Sequence, residues 1–294
     1  AYPVHEGGNV ITGMETHCGD AEAAFAKCDH VIEDTYTTPP IHHAAIEPHA
    51  VLADWGPDGK LTVYSANQNC FAFRVILSDI FGLPMNRIRV CAPAIGGAFG
   101  GKLEMTIEPV AAVLSKMAGR PVKIVLSRRE TMMATRVRHG SLSHVKTGFD
   151  DDGRIRAMEF KIYTNTGGYA SSALNVAGAL MHKVFLAYRI PDMKITSIPV
   201  YTNTETAGAM RGYGSPQIYF GMQRQINEMA GILGKDPAEI QRINMVRPDS
   251  RNPASGEPIG NPRPLDCLEK ALRLSDYEKA LVRQRKSKEA GGPL

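Results

Sequence analysis

The run Gly96-Gly97-Ala98-Phe99-Gly100-Gly101-Lys102 constrains this chain more than any other feature. Four glycines around one phenylalanine lose much chain entropy on folding. Their best use is a bare backbone whose N–H groups approach a bulky anionic ligand while one aromatic ring faces it. The run sits between a predicted strand, Ile88 to Ala92, and a predicted helix, Met105 to Met117. Its letters satisfy G-x-x-x-x-G-K, so a phosphate-binding loop has to be weighed. That loop needs Ser or Thr next, because the hydroxyl holds magnesium. Leu103 stands there, and no apolar strand ending in an aspartate supplies a second magnesium ligand. Leu103 argues against an NTPase; a tight glycine turn without a ligand is the other alternative.

Around this loop the pattern alternates strands and helices without a strict βαβ rhythm. Asp20 caps a short predicted helix, and His30 to Thr38 alternates as a strand. His49 to Trp55 and Leu61 to Ala66 flank a GPDG turn and read as a hairpin. Asn69 to Phe81 reads as a helix ended by Gly82. Strands are predicted at Val122 to Leu126, Ser143 to Phe149, Ile155 to Thr166 and Met193 to Val200, with a helix near Ser171 to Leu186. Gln217 to Leu233 places Ile218, Met222, Ile226 and Met229 on one helical face. Asp236 and Pro237 open another helix as cap and first residue. Arg247 to Arg263 is rich in Pro, Gly and Asn and reads as a surface linker before a last helical stretch. The fold class expected is α+β, with mixed or antiparallel sheets and packed helices. Residues 1–10 read as an opening loop, and the start at Ala1 rather than Met reads as a piece of something longer.

Composition narrows the function classes. Hydrophobic residues are 43% and charged residues 22%, so a real core can form. No apolar run approaches the ~18 residues of a membrane span. Thirty-four basic residues face 30 acidic ones, a balance that does not point to nucleic acid. The five cysteines form no CxxC pair, which describes neither a disulfide framework nor a cysteine-held zinc or iron–sulfur site. They fit a reducing compartment.

Three further segments carry candidate chemistry. His42-His43-Ala44-Ala45-Ile46-Glu47-Pro48-His49 invites a metal-site reading, but Pro48 breaks the helical spacing that would join His43 and Glu47. A structural role, with Glu47 bonding backbone where a strand begins, is the expectation. Met210-Arg211-Gly212-Tyr213-Gly214-Ser215-Pro216-Gln217 puts a guanidinium beside bare glycine backbone at a helix start, a good anion site. An ordinary helix start with a surface arginine is the alternative. Gln68, in Ser-Ala-Asn-Gln-Asn, stands at a strand-to-helix junction.

Taken in order, these blocks resemble the molybdenum-binding subunit of the xanthine dehydrogenase/aldehyde oxidase family of molybdenum hydroxylases. HAAIEPHAVLADW, SANQN, GGAFGGK, GRPVKIVLSRRE, YRIPD, YTNTETAGAMRGYGSPQ and LGKDPAEIQRINM carry the resemblance through nearly the whole chain. It implies a molybdenum cofactor-binding domain over residues 1–246, in one or two subdomains, and a linker with a C-terminal helical extension over 247–294. The region matched is the first half of the cofactor-binding portion. By resemblance, Gln68 hydrogen-bonds a terminal oxo ligand of the metal, and Gly97, Ala98, Phe99 and Gly100 line the metal and the pterin. Arg211 and Gly212 hold the cofactor region, so Gln68, Phe99 and Arg211 surround a metal held by the dithiolene of the pterin. Tyr213 stacks on an aromatic substrate.

The resemblance also implies molybdopterin as the cytosine dinucleotide, with [2Fe-2S] clusters and FAD on partner subunits. It implies a second cofactor-binding half as partner, a heteromeric complex and a cytoplasmic location. The reaction implied is hydroxylation of N-heteroaromatic compounds or aldehydes, with water as oxygen donor and a glutamate as base. That base belongs to a later Gly-Glu-Pro segment; Gly256-Glu257-Pro258 lies in the linker and reads as a surface turn. No catalytic residue is therefore expected here, and a cofactor-supporting fragment that needs a partner chain is the alternative reading. Purine-oxidising members carry an acid after the lysine of GGK, where Leu103 stands; Glu104 is the next candidate. They also carry an arginine in the helix before the Tyr-x-Ile-Pro segment, and none occurs from Ser171 to Ala187. Carbon monoxide dehydrogenases have cysteine where this chain has Gly212, which sets that chemistry aside.

Overall fold

Two parallel strand pairs, one in each of two sheets, decide where the loops of interest meet. β5 (Leu61–Ser65) runs parallel to β6 (Ile88–Cys91), and β10 (Ile155–Gly167) runs parallel to β11 (Asp192–Tyr201). A parallel pair needs a crossover of a dozen or more residues, usually a helix. Here α2 (Cys70–Phe81) crosses from β5 to β6, and α5 (Ala173–Lys183) crosses from β10 to β11. In the computed structural model, which describes residues 6–291, Gln68 follows β5, the glycine-rich loop follows β6, and the Met210–Gln217 segment follows β11. Residues 1–5 of the expected opening loop and 292–294 of the expected extension lie outside the described residues.

The larger sheet adds β1 (Met14–Cys18), β9 (Ser141–Phe149) and β2 (His30–Thr38), in the order β1-β11-β10-β9-β2. Its other neighbours are antiparallel, with Phe160 opposite Val145 and Tyr36 opposite Ser143. α6 (Ser215–Leu233) lays Ile218, Met222, Ile226 and Met229 into this sheet's core beside Val145, Phe160 and Ile162. Gly221 permits the approach: a Cβ there would stand 3.0 Å from Val145 Cγ2 and 3.2 Å from the Tyr36 ring. Buried Gln225 completes the seam by donating to the Val145 carbonyl at 2.8 Å and accepting from the Thr147 hydroxyl.

The smaller sheet has the order β6-β5-β4-β7, with β4 (Ala50–Trp55) and β7 (Val122–Val125) antiparallel to their neighbours. α2 and α3 (Glu108–Ala118) cover it, and Leu77, Ala111 and Ala112 pack on Val51, Ala53, Leu61 and Val63. A two-residue pairing of β3 (Ile41–His42) with β8 (Val137–Arg138) lies outside both sheets.

The mixed sheets and packed helices agree with the expected α+β class. Asp20, Asn69 and Asp236 cap their helices through side-chain oxygens, and Gly82 ends α2 in the left-handed region as expected. α3 starts three residues later than predicted. Its own Glu108 explains the delay, since Oε2 accepts the N–H groups of Thr106 and Ile107 at 2.9 and 3.1 Å and holds them outside the helix. α4 (Arg128–Ala134) was not anticipated, although Ser127 and Glu130 form a capping box that the letters S-R-R-E carry. β1 was missed too. After α7 (Pro237–Asn244), residues 247–263 form no helix or strand beyond one bridge between Arg251 and Pro258. α8 (Pro264–Leu274) and α9 (Tyr277–Glu289) then follow.

Candidate cofactor site

Ligands of open α/β sheets bind outside the carboxyl ends of parallel strands, and here the segments that follow β5, β6 and β11 meet at one groove. Gln68, Phe99, Gly100, Leu103, Ala209, Met210, Arg211, Gly212 and Tyr213 line a volume of about 450 Å³. Of the residues expected at the site, Gly97 and Ala98 sit in the same loop but do not line the groove. Glu104 does not line it either. Its carboxylate pairs with Arg136 Nε at 2.6 Å and accepts from the Ser171 hydroxyl.

The two glycine-rich segments are joined backbone to backbone. The Arg211 N–H donates to the Phe99 carbonyl at 2.8 Å. Gly100 has φ of +101°, and a Cβ there would stand 2.4 Å from the Ala209 carbonyl oxygen. Glycine is therefore required here for contact between protein segments, not only for approach to a ligand. Two aromatic residues share the left-handed region, Phe99 at φ +55° and Tyr213 at φ +44°. Each such conformation costs about 1–2 kcal/mol for a side-chain-bearing residue, and such strain collects where a binding surface is held in shape.

Gln68 is clamped at both ends. Its N–H donates to the Lys102 carbonyl at 2.9 Å, and its Oε1 accepts the Gly100 N–H at 3.0 Å. With Oε1 assigned by that donor, the exposed amide keeps its Nε2 hydrogens for a ligand acceptor. Among the described residues, the N–H groups of Gly97, Ala98 and Phe99 make no backbone or side-chain hydrogen bond, and the exposed Arg211 guanidinium has no partner.

The His42–His49 segment is the frame beneath both loops. His43 Nε2 donates to the Ala209 carbonyl at 2.7 Å and His49 Nε2 to the Gly101 carbonyl at 3.0 Å. Burial holds both imidazoles below their usual pKa, as neutral rings. Glu47 Oε2 accepts the Gly96 N–H at 3.0 Å and the Lys102 ammonium at 2.6 Å. The lysine and the Gly96 amide keep this carboxyl below its usual range despite the opposing effect of burial. The structural role expected for Glu47 is thus met. Lys102, whose side chain is 1% exposed, is spent on it beneath the loop, so the lysine a phosphate-binding loop would need does not reach the groove. Among the described residues no group of three or more His, Cys, Asp or Glu could hold a metal ion.

Two cations escaped sequence reasoning. Buried Arg138 donates to the Arg211 carbonyl at 2.6 Å. Lys183 donates to the Gly212 and Tyr213 carbonyls at 2.7 and 2.9 Å. Lys183 ends α5, and no motif or spacing in the letters marks it. Gly256-Glu257-Pro258 lies in an exposed turn, with Gly256 at φ +73°, and takes no part in the groove.

The molecule is thus an α+β domain whose groove offers one aromatic wall, a fixed amide donor, the free N–H of Phe99 and an unpaired guanidinium. That donor set fits an oxygen-rich, anionic group that brings its own metal ligands. Known proteins agree. The molybdopterin cofactor-binding domain family matches residues 4–245. The chain is 34% identical over 280 residues to the xanthine dehydrogenase molybdenum-binding subunit of Escherichia coli, covering 95% of this chain and 37% of that protein. It is 34% identical over 281 residues to the nicotinate dehydrogenase large molybdopterin subunit of Eubacterium barkeri, covering 94% and 66%. Among solved structures, the aldehyde oxidoreductase of Desulfovibrio gigas superposes with a TM-score of 0.90 at 29% identity, over 97% of this chain and 31% of that one. The chain belongs to the molybdopterin cofactor-binding domain family of the xanthine dehydrogenase/aldehyde oxidase hydroxylases. It spans little more than a third of the length of the xanthine dehydrogenase subunit it matches.

Proposed function

We propose that this chain supplies one wall of the molybdenum-cofactor site in an oxidoreductase that hydroxylates N-heteroaromatic compounds or aldehydes, with water as oxygen donor. The observation that carries the reading is the Gln68 amide. Gly100 fixes its Oε1, so its Nε2 is left to donate to an oxo group beside Phe99 and Arg211. When bound, the cofactor supplies the metal centre at which substrate is oxidised. The chain's own residues position and enclose it. The free N–H of Phe99 faces its ring edge, with Gly97 and Ala98 behind it in the same loop, and Arg211 and Gly212 hold its anionic periphery. Phe99, 48% exposed, closes over one side and excludes water.

Tyr213 presents an aromatic face for a flat substrate, and Leu103 makes the neighbouring wall apolar. Glu104 bears on this wall only through Arg136 and Ser171. The cofactor form proposed is the cytosine dinucleotide. The partners proposed are a second cofactor-binding half that brings the glutamate base, an iron–sulfur subunit and a FAD subunit, in a cytoplasmic complex. The domain limits proposed are 1–246 and 247–294.

The test is metal and pterin content. The full-length protein carrying this chain should copurify with molybdenum and a fluorescent pterin oxidation product in equal amounts. Absence of both from a folded, full-length preparation would overturn the proposal.

A further inference from the structure

We propose that Lys183 and Arg138 are positioning residues that hold the Arg211–Tyr213 turn in its left-handed form, and so aim the Arg211 guanidinium and the Tyr213 ring. The proposal rests on the cofactor reading above. Gly212, Tyr213 and Gly214 take φ of +95°, +44° and +95° in succession. Two glycines adopt such angles freely, but the tyrosine between them does so only when its surroundings hold it.

The holding groups are cations. Three consecutive carbonyls, those of Arg211, Gly212 and Tyr213, accept from Arg138 and Lys183 at 2.6, 2.7 and 2.9 Å. Neither cation has a carboxylate partner among the described residues. Burial pushes the Lys183 ammonium and the Arg138 guanidinium below their ordinary pKa values, as expected for charges left without a counter-ion.

Position supports the same role. Lys183 ends α5, and Gly214 packs on that helix so tightly that a Cβ would stand 2.6 Å from Leu180 Cβ. The Lys183 ammonium also lies 5.6 Å from the Tyr213 ring centroid, where the ring face attracts it. One helix therefore supports the turn by packing, fixes its carbonyls by hydrogen bonding and orients its ring. An ion-pair role would need an acid, and none among the described residues pairs with either cation.

The experiment uses the full-length protein and three variants: Lys183→Met, Lys183→Arg, and Lys183→Met combined with Tyr213→Gly. Loss of two charge-assisted hydrogen bonds should lower molybdenum and pterin content roughly tenfold in Lys183→Met. The thermal midpoint should stay near that of the parent. Lys183→Arg should keep at least half of the parent's metal. Tyr213→Gly should restore metal to Lys183→Met, because glycine needs no help to adopt a positive φ. Parent-level metal in Lys183→Met would overturn the proposal. So would a loss, or an unfolded protein, that neither second change restores. A parent protein that itself lacks molybdenum and pterin would instead remove the cofactor reading, and this inference with it.

Discussion

Phe99 and Arg211 belong to loops that follow strands of different sheets, yet the Arg211 N–H donates to the Phe99 carbonyl at 2.8 Å. This bond makes the groove a joint between two separately packed cores. Either loop alone is a glycine turn; together they present a ring, an amide and a guanidinium to one space.

Arg211→Ala should separate binding from folding. The side chain is exposed and has no protein partner, so folding stability should change by less than about 0.5 kcal/mol. Molybdenum and pterin content of the full-length protein should collapse, because the guanidinium acts only on the ligand. Full metal content in this variant would remove Arg211 from the site.

Gly100→Ala should do the reverse and damage the fold itself. The added Cβ meets the Ala209 carbonyl oxygen at 2.4 Å, and φ of +101° is strained for any L side chain. A loss of about 2 kcal/mol or more in chemical denaturation is expected. A variant as stable as the parent would show that the two loops can part without cost.

Glu47→Gln should also weaken the fold, for a different reason. Lys102 is almost fully buried and has this carboxylate as its ion-pair partner at 2.6 Å. The Glu47 side chain is 33% exposed, so water relieves part of the penalty of the unpaired ammonium, and a loss of about 1–3 kcal/mol in chemical denaturation is expected. The burial of Lys102 predicts that ATP with magnesium gives no thermal shift beyond buffer. A saturable shift would restore the phosphate-loop reading that Leu103 argued against.

Stability should fall on mild acidification. Burial lowers the His139 pKa from 6.5 to about 4, so the unfolded chain takes up a proton that the folded chain refuses. The contribution is whole above pH 6.5 and is lost as pH falls toward 4, at about 1.4 kcal/mol per pH unit. His43 and His49 are shifted in the same direction by burial and add to the slope. Urea midpoints measured from pH 7 to 4 should decline, and His139→Gln should flatten that decline. An unchanged slope would assign the acid sensitivity to other groups.

The sequence was legible where local rules decide the outcome. Caps at Asp20 and Asp236, the αL stop at Gly82 and the apolar face of α6 follow from nearest-neighbour physics, and the structure repeats them. Gln68, Phe99 and Arg211 were singled out by motif, and they meet in the groove. Three relationships were not readable. His43 bonds Ala209, Arg138 bonds Arg211 and Lys183 bonds Tyr213, each across a long stretch of chain. A side chain that serves a distant carbonyl leaves no periodicity and no spacing to detect. Glu104 shows the converse: it stands beside the motif in sequence but turns to Arg136 and Ser171.

The last prediction concerns turnover. The 294-residue chain by itself should show no hydroxylase activity, even when molybdenum cofactor is supplied. Among the described residues no carboxylate lines the groove: Glu47 is paired with Lys102, Glu104 with Arg136, and Glu257 sits in an exposed turn. A carboxylate in an exposed turn outside the groove is not held within reach of a reacting proton. Without a positioned base, catalysis loses roughly 10²–10⁴-fold, and an open groove admits water to the reacting centre as well. A polypeptide supplying the remaining length of the relatives should restore activity, and Glu257→Gln in that complete protein should leave the rate nearly unchanged. Activity in the isolated chain that vanishes in Glu257→Gln would place the base in this chain, and the proposed division of labour would fall.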